Sequence, residues 1–162
     1  LLALCHYDQI VDEKKDLNEI VKAKKYFQLI LDNYPNTDYA QDAKFKLDYI
    51  VEIMASKEMY IARYYVQREK WIPAIKRFKK VVNEYDTTIF VEEALHRLVE
   101  LHYKIGLISE AEKYALLLGY NYRSSVWYEE SYKILNANYK RKKIDTKKEK
   151  ETILKKFKKL FK

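Results

Sequence analysis

Apolar side chains recur along this chain every three or four positions, as at Ala23, Phe27, Ile30 and Leu31, and again at Ala74, Phe78, Val81 and Val82. On an α-helix that spacing turns one apolar stripe toward a core. It predicts helices over about 1–12, 18–33, 39–69, 73–85, 90–104, 108–118, 125–140 and 147–161. The pattern itself repeats. A shift of 51 carries Ala23, Phe27, Tyr34, Ala43 and Leu47 onto Ala74, Phe78, Tyr85, Ala94 and Leu98. A shift of 37 then carries Ala74, Tyr85 and Leu98 onto Ala111, Tyr122 and Leu135. Helical repeats with a period in the mid-thirties stack into a solenoid. The expected fold is therefore all-α: a tetratricopeptide-like solenoid of about three repeats over 1–139, followed by a separate segment over 140–162.

Turn chemistry punctuates the repeats. Asn33-Tyr34-Pro35-Asn36-Thr37 returns as Glu84-Tyr85-Asp86-Thr87-Thr88 and as Asn121-Tyr122-Arg123-Ser124-Ser125. Pro35 disfavours helical geometry at Tyr34, and Asn36 or Thr37 can cap the next helix through a side-chain oxygen. Thr88 and Ser125 are expected to repeat that cap. Pro73 suits a first helical turn, and Gly106 and Gly119 read as helix C-caps. The two shifts differ by 14 residues, close to four helical turns. Nothing between Tyr39 and Glu69 breaks a helix. The extra residues therefore predict one long helix, about 45 Å from end to end, shared by two successive repeats.

Composition supports this reading. Among 162 residues there are two Gly and two Pro, against typical usages of roughly 7% and 5%. Sixteen Tyr supply seam-filling rings with polar tips. No apolar run reaches the roughly 18 residues that span a bilayer. Leu1-Leu2-Ala3-Leu4-Cys5 ends like a bacterial lipoprotein cleavage box, but Leu4 is too large for the residue before the cysteine and no basic segment precedes it. Leu1, Leu4 and Cys5 are expected instead on the buried face of a helix that began upstream, so that the chain reads as part of a longer array.

Charge is concentrated at one end. Residues 140–162 hold twelve Lys/Arg and three Asp/Glu, a net +9; with +8 for the whole chain, residues 1–139 carry about −1. Thr146 and Glu149 have capping-box spacing. Ile153, Leu154, Phe157, Leu160 and Phe161 then make one apolar stripe ringed by Lys155, Lys156, Lys158, Lys159 and Lys162. That is a basic amphipathic helix, suited either to an anionic membrane surface or to capping the last repeat. Nucleic-acid binding does not follow from the pI of about 9.3, because the repeats are slightly acidic and no recognition motif interleaves with the tail.

The sequence offers little for catalysis. His6, His96 and His102 lack metal-ligand spacing, Cys5 sits in an apolar run, and no glycine-rich loop can cradle a phosphate. No catalytic, metal or cofactor residue is assigned. A binding surface is better supported. Glu58, Arg63, Arg68 and Arg77 surround Tyr60, Tyr64 and Tyr65 close to Trp71. Arginine and aromatic residues are enriched at binding hot spots, and arginine grips a carboxylate with two hydrogen bonds. Arg63, Arg68, Trp71 and Arg77 are the candidate partner-binding residues.

One block is more specific. Lys57-Glu58, Ile61-Ala62-Arg63-Tyr64-Tyr65, Arg68, Trp71, Ala74-Ile75, Arg77, Val81-Val82, Tyr85-Asp86-Thr87-Thr88 and Glu93-Ala94-Leu95 together resemble the BamD (ComL) family of outer-membrane assembly lipoproteins. Tyr34-Pro35-Asn36-Thr37-Asp38-Tyr39-Ala40-Gln41-Asp42-Ala43, and later Asn121-Tyr122, Ser125 and Trp127-Tyr128, fit the same family, so the resemblance covers about 1–130. Asp86 and Arg123 stand where the family usually has proline. The resemblance implies about five tetratricopeptide repeats, of which this chain would hold the later ones. It also implies a lipidated cysteine upstream of Leu1 and a place on the periplasmic face of the outer membrane. The implied role is non-enzymatic: a scaffold in the complex that folds β-barrel proteins. The implied partners are the periplasmic POTRA region of BamA, other lipoproteins of the complex and unfolded outer-membrane proteins, with Arg77 matching an arginine that contributes to the POTRA contact. A generic periplasmic tetratricopeptide adaptor, such as a division-associated one, shares the Tyr-Pro phrase but does not need the Arg-Tyr-Tyr block.

Overall fold

The computed structural model describes residues 1–10 and 18–136. These form seven helices: α1 (Leu2–Tyr7), α2 (Asn18–Asn33), α3 (Asp38–Gln67), α4 (Trp71–Glu84), α5 (Val91–Lys104), α6 (Ile108–Asn121) and α7 (Val126–Leu135). Among the described residues there is no strand, as the helical periodicity requires. The amphipathic helix expected over 147–161 lies outside the described residues.

Each helix packs on its neighbours in the chain, and α5 also meets α7, two helices on. That is the contact pattern of a solenoid, in which each repeat buries its apolar face on the next. The repeat alignment holds in the cores. Ala23, Ala74 and Ala111 are all 0% exposed. Phe27 and Phe78 are buried, as are Ala43 and Ala94. These small and aromatic positions let helix axes approach and then fill the seam. The phrase tyrosines diverge, however: Tyr34 is exposed and Tyr85 is buried.

The long helix is a single element. α3 runs unbroken for 30 residues, about 45 Å. Its first half joins α1 and α2 around Ile20, Ala23, Phe27, Leu47 and Ile50. Its second half joins α4 and α5 around Met59, Ala62, Phe78, Val81 and Leu98. One rod therefore serves two cores. It starts on Thr37, whose hydroxyl accepts from the Ala40 N–H at 3.3 Å. It ends where Glu69 takes a left-handed φ of 55°. There the Lys70 N–H bonds the Tyr65 carbonyl and the Glu69 N–H the Val66 carbonyl, a Schellman closure without glycine. α5 closes in the same way with Gly106, at φ 82°.

Four local expectations are corrected. Thr88 does not cap α5. Its hydroxyl donates to the Tyr85 carbonyl at 2.8 Å, and the helix begins at Val91 after a turn that brings Phe90 and Val91 onto two different cores. Gly119 does not end α6 but lies within it, and a Cβ there would come 2.5 Å from the Tyr128 ring. The glycine serves close packing of α6 on α7. Leu1 and Leu4 are exposed, as is Cys5, and α1 turns inward through Ala3 instead. Helix ends also move: α4 starts at Trp71, which places Pro73 in its first turn, and α7 stops at Leu135. Ser125 caps α7 as expected, accepting from the Trp127 N–H at 3.2 Å.

Candidate functional site

The strongest polar feature sits where α3 meets α4. Glu58 has a side chain only 6% exposed, and both of its carboxylate oxygens are engaged. Arg77 Nη1 donates to Oε2 at 2.9 Å, and Lys80 Nζ donates to Oε1 at 2.7 Å. Residues three apart share a helix face, so α4 delivers both cations to one carboxylate. Burial pushes the Glu58 carboxyl up, but the bonds from Lys80 and Arg77 outweigh it and hold the group below its usual range. The bond to Glu58 correspondingly raises Lys80. The Arg77 side chain is 40% exposed, so its guanidinium is anchored at one edge and open to solvent at another.

A second cluster ties α3 to α5. Arg63 donates from Nε and Nη2 to the two oxygens of Glu93, at 3.1 and 2.6 Å. Arg97 lies 3.7 Å from the same carboxylate and bonds Glu100 at 2.7 Å. Arg63, Val66, Gln67, Phe78 and Arg97 line a cleft of about 200 Å³. A third cluster surrounds the end of α3. The Arg68 guanidinium sits 5.2 Å over the Tyr64 ring, Tyr64 meets Tyr65 edge-on, and Lys104 lies 4.1 Å over the Trp71 ring. Cations over ring faces are held there by the ring quadrupole.

The four candidate partner-binding residues thus fall into three local clusters rather than one patch. Glu58 and Arg63 are five residues apart on α3, about 140° around the helix, and so they address different neighbours. Lys80, Arg97 and Lys104 do not stand out in the sequence. Lys80 carries a usable signal in its spacing of three from Arg77. Glu93 stands in the family block, but nothing in the sequence pairs it with Arg63, because that bond spans 30 residues of chain.

One pair has the outline of a nucleophile and base. His96 Nδ1 lies 2.9 Å from Ser131 Oγ, but Ser131 is 0% exposed and its hydroxyl donates to the Trp127 carbonyl at 2.7 Å. Ser131 therefore accepts from His96 and its proton is committed elsewhere, so the pair ties α5 to α7. Burial pushes the His96 imidazole below its ordinary pKa. Among the described residues no three His, Cys, Asp or Glu side chains are grouped as a metal site would need. No helix among them is long and apolar enough to cross a membrane. What the arrangement does offer is a set of half-exposed guanidinium groups, each fixed by a buried or half-buried carboxylate or a ring. Such groups suit two-pronged recognition of carboxylates.

The family model for YfiO, described as outer membrane lipoprotein, matches residues 1–117. The chain belongs to the YfiO family. Its relatives include the outer membrane protein assembly factor BamD of Caulobacter vibrioides, 41% identical over 138 residues, which are 85% of this chain and 45% of that protein. The BamD of Rickettsia prowazekii is 40% identical over 139 residues, 86% of this chain and 55% of that protein. The BamD of Neisseria gonorrhoeae is 37% identical over 83 residues, 51% of this chain and 31% of that protein. The chain spans about half the length of the first two relatives. The YfiO match takes in all three clusters on α3, α4 and α5, and ends within α6.

Proposed function

We propose that this chain is a non-enzymatic scaffold in the outer-membrane β-barrel assembly complex, held at the periplasmic face of the outer membrane through a lipid anchor. Its partners are the POTRA region of BamA, other lipoproteins of the complex, and unfolded outer-membrane proteins. Membership of the YfiO family and the names of its relatives supply the process. The observation that carries the docking role is Arg77, half exposed and fixed by a bond to buried Glu58. A guanidinium held by one carboxylate loses little freedom on meeting another, so its binding energy is not spent on ordering. Arg63, Arg68 and Trp71 extend the surface on either side.

The test is a pull-down with the POTRA region of BamA from the same organism. The native chain is expected to be retained, and Arg77→Glu to lose at least tenfold in affinity. Arg77→Ala, which leaves the Lys80–Glu58 pair in place, controls for folding and is expected to weaken binding with a nearly unchanged melting curve. If the native chain is not retained, the docking role fails.

A further inference from the structure

A strip of large apolar side chains crosses the first half of α3, and no element among the described residues covers it. Phe45 is 75% exposed and Tyr49 54%. Both lie within about 60° of Glu52 around the helix. Glu52 marks where the turn between α4 and α5 abuts α3, because its Oε1 accepts from the Ile89 N–H at 3.3 Å. Ile89 itself is 79% exposed. Tyr7 of α1 borders the strip, its ring 6.0 Å from that of Tyr49. The surroundings are acidic. Residues 38–52 hold Asp38, Asp42, Asp48 and Glu52 against Lys44 and Lys46, and the turn of Ile89 adds Asp86. One carboxylate and ring are already bridged from within: Lys46 donates to Asp42 and lies 5.8 Å over the Tyr7 ring. The next such set along the helix has no cation of its own. Asp48 is exposed, three residues from Phe45 on the same side of α3, and among the described residues neither it nor Glu52 meets a cation. Glu52 Oε2 is buried with no hydrogen-bond partner among them.

We propose that this strip is a second docking surface, for a segment of another protein that carries lysine or arginine next to an aliphatic side chain. Exposed apolar side chains grouped in this way mark interaction sites, and here charge selects the partner. The aliphatic group packs on Phe45 and Ile89. The cation lies between the Asp48 carboxylate and the neighbouring rings, as Lys46 lies between Asp42 and the Tyr7 ring. Carboxylates and ring faces attract the same sign of charge, so a single cation answers both. An acidic or neutral segment leaves Asp48 and Glu52 uncompensated. This surface is not that of Arg77. Glu58, which holds Arg77, points about 120° away from Glu52 around α3. A basic segment on the strip and a carboxylate at Arg77 can therefore be engaged at once, one on each side of the shared helix.

The probe is the fluorescein-labelled peptide Gly-Lys-Leu-Arg-Leu-Lys-Gly, titrated with the full chain and followed by anisotropy. Saturable binding is expected, weakened at least fivefold by Asp48→Lys and by Phe45→Ala, and unchanged by Arg77→Glu. Both Asp48 and Phe45 are exposed, so circular dichroism melts of their variants are expected to match that of the native chain. A peptide with Glu in place of Lys and Arg is expected not to bind, and one with Ser in place of Leu to bind at least fivefold more weakly. The absence of saturable binding by the basic peptide would overturn the proposal, as would equal binding by the acidic or the Ser-containing peptide. So would an affinity that either Asp48→Lys or Phe45→Ala leaves unchanged, or one that Arg77→Glu abolishes. Sedimentation in which Phe45→Ala converts a dimer of the chain into a monomer would assign the strip to a second copy instead, and would overturn it equally.

Discussion

Arg77 and Glu58 meet at 2.9 Å across the seam of α3 and α4, nineteen residues apart in the chain. Because Lys80 holds the second oxygen of the same carboxylate, neither cation alone decides whether Glu58 is compensated. Arg77→Ala and Lys80→Ala are each expected to cost under about 1 kcal/mol, since the remaining half-exposed partner stays in place. The double variant leaves a buried carboxylate unpaired and is expected to cost about 3 kcal/mol. Urea unfolding of the four members of that cycle measures the coupling; additive losses would show that the carboxylate does not need either cation.

Acid should act on the fold in two stages. His96 is held below its ordinary pKa by burial. Its neutral form therefore contributes stability that is complete above about pH 6.5 and shrinks as the pH falls and the unfolded chain takes up the proton. Glu58, held low by Lys80 and Arg77 against the opposing effect of burial, contributes stability that is complete above about pH 4.3 and is lost as the pH falls through its folded value. Melting temperature followed from mildly alkaline to strongly acidic pH should show both declines. Glu58→Gln is expected to flatten the lower one and leave the upper one in place.

Three residues separate two causes of strain. A Cβ at Gly106 would meet nothing within 4 Å, but the backbone there has a φ of 82°, so Gly106→Ala should cost about 1 kcal/mol through the backbone alone. Gly119→Ala meets the Tyr128 ring and should cost about 1–3 kcal/mol through overpacking, with much of that recovered when Tyr128→Leu is added. Glu69→Gly relieves a left-handed residue and should stabilise by up to about 1 kcal/mol. Thermal melts of the four variants check these signs.

Ser131→Ala removes the acceptor for buried His96 and is expected to cost about 1–3 kcal/mol, the penalty of an unsatisfied buried donor. Loosening should concentrate on α7, because the bond ties that helix to α5. Amide exchange measured over 126–135 is expected to quicken more than over 71–84.

Much of this architecture was legible because it depends on local rules. No distant neighbour is needed to see that a breaker-free stretch from Tyr39 to Glu69 continues as one helix, or that Ser125 and Gly106 close helix ends. The departures came where a long-range neighbour overruled a local preference. Gly119 reads as a terminator until Tyr128 is seen against it. Thr88 reads as a cap until Phe90 and Val91 are seen drawn onto their cores. Leu1 and Leu4 read as buried because they are apolar, whereas small Ala3 is what fits against α2. The candidate site was half legible for the same reason: arginines stand out in sequence, but Glu93 and Lys104 are brought to Arg63 and Trp71 only by the fold.

The shared helix has a consequence of phase. Ile50 faces the first core and Ala62 the second, twelve residues on, which sets the two directions about 120° apart around α3. That angle is set by a count of residues and braced by the bond from the Ile89 N–H to Glu52 Oε1 at 3.3 Å. One residue inserted between Met54 and Ala55 would leave Ile53 and Met54 on the first core, turn every later helix by about 100° and carry the Arg77 edge to another side of the molecule. Substitution in this stretch is a matter of packing, but its length is a setting of aim.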